Sequence, residues 1–369
     1  MLPSRPDLAP LPEPPPDDLR ARWRGALGLL VGGLVGGAAG ILGVGWLDGL
    51  DVSALGLVLA VVVGIQGVLA AHELGHVVGG RLARWRFVLF VAGPLRVERK
   101  GDRLRWGLNT SLALAGGLAL SVPTDVRDLG WGTAVMVAGG PVASLLLGAA
   151  GLALGGAWAI VGLTSFGIAA VTLFPGRTGG FLTDGARLLR LAKGGLVADR
   201  EAAVLAVFAQ SIAGVRPRDW DPDLIAGFDL ADGDLTEDAA RALEAARAFD
   251  MGDADTARDA LVRRIALWPT VPASMRGGLA TDAALFEGAV RGDGDRARAW
   301  LAHVPAKAIL ADPAGLALAE AAAASAEGDA DSVRTYADAV REAAGSGLDD
   351  GTTAARLDWL AGLEAAAGV

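Results

Sequence analysis

The sequence predicts an all-α polytopic membrane protein with about four transmembrane helices, a small β-sheet insertion and a C-terminal soluble α-helical, repeat-like domain. Three observations carry this expectation. The chain of 369 residues is 52% hydrophobic with positive mean hydropathy, and its apolar residues crowd the first half. Uncharged runs long enough to cross hydrocarbon recur before residue 175. The charge changes sign along the chain: seventeen Lys/Arg against twelve Asp/Glu up to Ala198 give +5, and sixteen against thirty beyond it give −14.

Residues 1–24 hold seven prolines and the acidic pair Asp17-Asp18, which excludes a helical signal or transit peptide and predicts a disordered arm. Residues 25–198 form the expected membrane domain. Gly25 to Leu47 is uncharged for about 23 residues, and Ala54 to Gly80 is interrupted only by Gln66 and a His-Glu-His cluster. Trp131 to Val171 lacks charge for about 41 residues, enough for two helices joined near Gly155-Gly156. The expected spans are therefore 25–47, 54–80, 131–154 and 157–174. Arg20, Arg22 and Arg24 precede the first, and a cluster from Arg81 to Arg105 follows the second, so both termini are expected on the cytoplasmic side of a cell membrane, bacterial by expectation. The lipid bilayer is then a partner of the chain.

Between the second and third spans, residues 87–91 and 95–100 flank Gly93-Pro94, and residues 103–108 alternate polar with apolar after Gly101-Asp102. This predicts a small antiparallel sheet. Ser111 to Val122 is too short to span and is expected to be re-entrant or interfacial. In residues 199–369, Gly252-Asp253, Gly292-Asp293 and Gly328-Asp329 punctuate Ala-rich amphipathic stretches at spacings of 40 and 36 residues, predicting helical hairpins of tetratricopeptide-like period. An irregular helical bundle fits the same pattern. Its acidic surface suits protein partners; no nucleic-acid partner is expected.

The chemistry lies in His72-Glu73-Leu74-Gly75-His76. Histidines at i and i+4 share one face of a helix and can share a zinc ion, while the intervening glutamate is placed to handle the proton of an attacking water. His72 and His76 are thus candidate ligands and Glu73 the candidate general base and acid. By helical rise they lie roughly 13 Å or less from the membrane edge at Arg81. In a soluble helix the same pattern is often an uninvolved face, but an acid and two imidazoles are expensive inside a span, where polar groups are functional by default. Bonding between helices is the bland alternative. The chain has no cysteine and its one other histidine, His303, lies in the distal soluble region, so a third ligand must be a carboxylate. Asp184 is the best candidate, since it follows the last span on the side of His76 after a turn rich in Gly and Pro. Asp125 and Asp128 are its rivals, and helix capping by Thr183-Asp184-Gly185 is its bland alternative.

At this point the chain resembles the site-2 protease family of intramembrane zinc metalloproteases. The resemblance covers roughly Gly25 to Lys193 and rests on HELGH at His72 to His76, Ala-Gly-Gly-Pro at Ala138 to Pro141 followed by Ser144, and the segment from Pro175 to Gly185 ending in Asp-Gly. It implies a three-helix catalytic core that hydrolyses membrane-embedded protein substrates, as in regulated intramembrane proteolysis, with zinc on His72, His76 and Asp184. It also implies a sheet beside the site that receives an extended substrate strand, for which Phe87 to Leu108 is the counterpart. Thr172 and Ser144 stand where the family commonly has Asn, and Thr183 replaces a common Leu. Two other readings fit the sequence: a catalytically silent zinc-binding adaptor presenting the helical domain, and a transporter, for which paired internal repeats are wanting.

Overall fold

A computed structural model of the chain describes residues 4–15, 54–100, 103–109, 117–124, 129–178, 181–229, 233–305, 312–344 and 349–369. The chain divides into two compact units, residues 17–194 and residues 1–16 with 195–369.

The first unit is built on helix α1 (Ala54–Leu82). The helix ends at Arg84, whose φ of 61° is rare for a residue with a side chain, and Trp85 closes the end by donating its N–H to the Gly80 carbonyl at 2.7 Å. Strands β1 (Arg86–Ala92), β2 (Leu95–Lys100), β3 (Arg103–Leu108) and β4 (Leu118–Val122) follow. They form an antiparallel sheet of order β3-β2-β1-β4. The β1–β2 hairpin turns on Gly93-Pro94, with Gly93 at φ 55°, the positive value that two-residue hairpins demand. β1 is rich in Val and Phe and buries most of its residues, so it is the core strand of the sheet. Part of the segment expected to be re-entrant is therefore a strand: Leu118–Val122 finds its backbone partners on β1, with a bulge between Phe87 and Leu89.

Helices α2 (Leu129–Leu154) and α3 (Ala157–Leu173) complete the packing. Their contacts run through glycine. A Cβ on Gly75 would collide with the Gly139 carbonyl, one on Gly139 with the Gly75 carbonyl, and one on Gly151 with the backbone of Trp158 and Gly162. Such close backbone approach is how helices associate where hydrophobic burial gives little. A two-residue hairpin, β5 (Arg177–Thr178) with β6 (Phe181–Leu182), then leads into α4 (Asp184–Lys193).

The expectation of a polytopic protein with about four spans is corrected here. Among the described residues, one helix, Leu129–Leu154, is long and apolar enough to cross a membrane. Helix α3 has 17 residues, about 25 Å of rise against a hydrocarbon core of about 30 Å. Side chains of α1 are described from Val63 onward, and that portion carries Gln66, His72, Glu73, His76 and Arg81, which lower its hydropathy. The run 25–47 lies outside the described residues. The described fold is mostly helical, with thirteen α-helices and the small four-stranded sheet.

The second unit begins with α5 (Leu196–Ile212) and the short α6 (Pro222–Ala226) and continues as helical hairpins. They pair α7 (Leu235–Met251) with α8 (Ala254–Ala266), α9 (Gly277–Leu285) with α10 (Gly294–Leu301), and α11 (Pro313–Glu327) with α12 (Ala330–Ala344). A last helix, α13 (Asp350–Ala367), packs on α11 and α12. Each Gly-Asp pair sits at a hairpin turn for a physical reason. Gly252, Gly292 and Gly328 take φ of 77°, 67° and 75°, and the following Asp caps the next helix, Asp253 on Thr256 N–H, Asp293 on Arg296 N–H and Asp329 on Ser332 N–H. Between α9 and its turn, Phe286–Val290 winds as a π-helix.

Of the N-terminal arm expected to be disordered, residues 4–15 instead lie on this unit, with Leu11 buried in the hydrophobic core that also holds Phe249, Phe286 and Trp359. Sequence composition missed this because proline bars helix and ladder bonding within the segment, while leaving it free to bond elsewhere.

Candidate metal centre

His72 and His76 sit one turn apart on α1 and present their rings to the same side, centroids 4.9 Å apart and mutually perpendicular. Asp184 is the first residue of α4, and the chain is brought to it by the β5–β6 hairpin. Thr183, not Asp184, caps that helix: its hydroxyl oxygen accepts from Ala186 and Gly176 N–H and donates to the Phe174 carbonyl at 2.7 Å. Asp184 is thereby released from capping. Gly185 lies so close to the Leu173 backbone that any side chain there would force α4 away.

The three groups converge. His72 Nε2 lies 3.2 Å from Asp184 Oδ2, His76 Nε2 lies 3.5 Å from Asp184 Oδ1, and the two Nε2 atoms are 3.3 Å apart. One donor atom from each residue lies within 4.8 Å of the others, so the group can hold a metal ion. The opposite side of each ring is fixed by the protein. His76 Nδ1 lies 2.9 Å from the Met136 carbonyl, which can only accept, so the proton sits on Nδ1 and the Nε2 lone pair faces the cluster. His72 Nδ1 lies 2.9 Å from the fully buried Ser144 hydroxyl, and Ser165 donates to the Ser144 carbonyl at 2.8 Å. Gly140 completes the cradle, since a Cβ there would strike Nε2 of both histidines.

A metal ion fits this set on three counts. The donors are two imidazole nitrogens and a carboxylate, the far side of each ring is held in orientation, and Gly140 leaves no side chain against the two Nε2 atoms.

Glu73 follows His72 but turns towards the sheet. Its carboxylate accepts the backbone N–H of Ala119 on β4 and lies against Gly117, whose φ of 108° and missing Cβ make room for it. It lies close enough to interact electrostatically with His72 and Asp184. Among the described residues β4 pairs with β1 alone and so forms the sheet edge beside Glu73.

The structure thus brings His72, His76 and Asp184 together with Glu73 adjacent. Asp125 and Asp128 lie outside the described residues. Thr172 bonds back to the Ala169 carbonyl of its own helix at 3.4 Å, and Ser144 supports His72. Sequence reasoning missed the roles of Ser144, Met136 and Gly140; only the small residues of Ala-Gly-Gly-Pro, in a helix otherwise rich in larger apolar residues, signalled a close approach. Searches against protein-family models, curated proteins and solved structures return no match to this chain.

Proposed function

We propose that this chain is a zinc metalloendopeptidase that hydrolyses peptide bonds of membrane-embedded protein substrates, in the manner of the site-2 proteases it resembles. The observation that carries the reading is the convergence of both His-Glu-Leu-Gly-His histidines with Asp184 while Glu73 stands beside them unligated.

His72, His76 and Asp184 would hold zinc, whose donor preferences match two imidazoles and a carboxylate with one position left open. When bound, zinc acts as a Lewis acid that polarises the scissile carbonyl and acidifies water at the site. Glu73 takes the proton of the attacking water and delivers it to the leaving amine, which needs a carboxylate aimed at the site and not consumed as a ligand. The Ala119 N–H provides that aim. The edge of β4 receives the substrate as an added strand, so the scissile bond is held extended alongside Glu73. This assigns strand reception to residues 118–122, next to the site, in place of the hairpin at 87–108.

Membrane embedding of the substrate is supported by the helix Leu129–Leu154, long and apolar enough to cross a bilayer, and by exposed apolar residues on the same unit, among them Leu74, Val78, Leu146, Leu154 and Leu163.

The test compares the membrane proteomes of cells carrying the native chain with those carrying Glu73→Gln. A membrane protein should accumulate uncut in the variant, with its shorter product missing. Identical proteomes would remove the proteolytic reading.

A further inference from the structure

Residues 4–15 contain five prolines and so offer carbonyls in excess of N–H groups. The helical unit meets that excess with arginines. Arg291 Nε donates to the Leu8 carbonyl at 2.9 Å, Arg258 Nε to the Ala9 carbonyl at 2.9 Å, and the Arg296 guanidinium to the Leu11 carbonyl. The N–H groups that remain are also read: Leu11 N–H donates to Glu287 Oε1 at 2.7 Å and Arg5 N–H to the Val290 carbonyl at 2.7 Å. These contacts are to main chain. The one side chain of the segment that is buried is Leu11, at 1% exposure.

The groups that do this are built for it. Glu287 is fully buried, and its charge is balanced by Arg291 at 2.6 Å and Arg296 at 3.3 Å, two of the arginines that hold the segment. It stands in the π-helical turn Phe286–Val290, where Gly288 lies against the Ala322 backbone. A π-turn spoils regular helix bonding and recurs at functional sites. Among the described residues, no main-chain group of the hairpins apart from the Val290 carbonyl bonds to the segment's main chain, and most of its residues, including Asp7, Ala9, Pro10, Pro12 and Glu13, remain exposed.

We propose that this groove is a peptide-binding site, that residues 4–15 are its resident intramolecular ligand, and that an extended, proline-flanked peptide with a leucine anchor on a partner protein displaces them. Recognition rests on main-chain carbonyls and the Leu11 anchor, with Leu8 packed against the same core and the Arg5 side chain reaching Asp255 at 3.4 Å. A segment with so few buried contacts opens more readily than the hairpins beneath it. Because the resident ligand is tethered, it competes at a high effective concentration, and the site becomes measurable when the tethered anchor is disabled.

The experiment uses the purified full chain in detergent and a fluorescein-labelled synthetic peptide of residues 4–15, read by anisotropy. A chain carrying Leu11→Asp should bind the peptide at least about tenfold more tightly than the native chain, because its own ligand no longer competes. A peptide carrying the same substitution should not bind. Arg258→Ala added to the Leu11→Asp chain should weaken binding by roughly 3- to 10-fold, through loss of one charge-assisted hydrogen bond at a partly exposed site. Equal binding by the native and Leu11→Asp chains would overturn the proposal. So would loss of cooperative melting of the helical unit in Leu11→Asp, which would make the segment an integral part of the core.

Discussion

The two units solve helix packing with different residues. Among the described residues of 17–194 the helices cross with glycine on backbone, at Gly75 with Gly139 and Gly151 with Gly162, and many large apolar side chains of those helices, such as Leu74, Val78, Leu146 and Leu163, face outward. In residues 195–369 glycine meets backbone at Gly288 and Gly351, but alanine lines most of the buried helix faces: Ala257, Ala280, Ala283, Ala319, Ala321, Ala322 and Ala337 are fully buried, and Phe249, Phe286, Trp300 and Trp359 lie in the same core. The second unit is held by burial of large side chains between its helices; in the first, large side chains such as Phe87, Leu89 and Val91 are buried in the sheet, while the helix crossings are contacts with no room for a methyl group. One sequence thus carries two packing rules, and the same substitution should have opposite consequences in them.

The largest effect is expected where the helical unit depends on bulk. Phe286→Ala removes a completely buried ring that meets Phe249 edge-on at 6.3 Å, and should destabilise the unit by about 3–5 kcal/mol. Hydrogen exchange on the full chain should show faster opening of residues 235–344 with metal content unchanged. Next is the converse change. Gly139→Ala adds the very residue the helical unit favours, but there the methyl would press on the Gly75 carbonyl, for about 1–3 kcal/mol. Since Gly75 and Gly140 belong to the same helix crossing as the histidines, metal retention should fall while the helical unit melts as before. Equal tolerance of both substitutions would erase the distinction.

Smaller effects sharpen the account of the hairpin turns. Asp253→Ala removes the cap on Thr256 N–H and should cost about 1 kcal/mol in thermal melting of the helical unit. A pH dependence goes with it. Hydrogen bonds from the Thr256 backbone and hydroxyl hold the Asp253 carboxyl below its usual range, and the Ser332 hydroxyl and N–H do the same for Asp329. A carboxyl depressed in the folded state contributes stability above its unfolded value, near 3.9, and loses it as pH falls through the lower folded value. Melting temperature should therefore drop on the acid side of about pH 4, and less steeply in Asp253→Asn with Asp329→Asn.

Much of this was legible in residues with a single physical job. Gly252, Gly292 and Gly328 followed by Asp mark turns because few residues other than glycine take positive φ easily and aspartate caps the next helix. His72 and His76 mark a shared ligand face by spacing alone. What was not legible depended on partners far along the chain. Ser144 reads as a small helix residue until His72 is seen against it, and Leu118–Val122 reads as an apolar stretch until β1 supplies its partner. Residues 4–15 read as disordered because their bonding partners, Arg258, Glu287, Arg291 and Arg296, lie more than 240 residues away. The number of spans was overread: the run expected at 157–174 folds as a helix of 17 residues, with about 25 Å of rise against about 30 Å of hydrocarbon.

The central claim is that Asp184 completes a metal site whose proton chemistry belongs to Glu73. Its most direct test is zinc content, together with cleavage of a model membrane substrate, in the purified native chain, Asp184→Asn and Glu73→Gln. Asp184→Asn should lose both zinc and turnover, because two imidazoles alone leave the ion short of the three protein ligands expected. Glu73→Gln should keep its zinc and lose cleavage by a factor of about 10²–10⁴, the usual worth of a positioned general base. Full zinc occupancy and activity in Asp184→Asn would contradict the account.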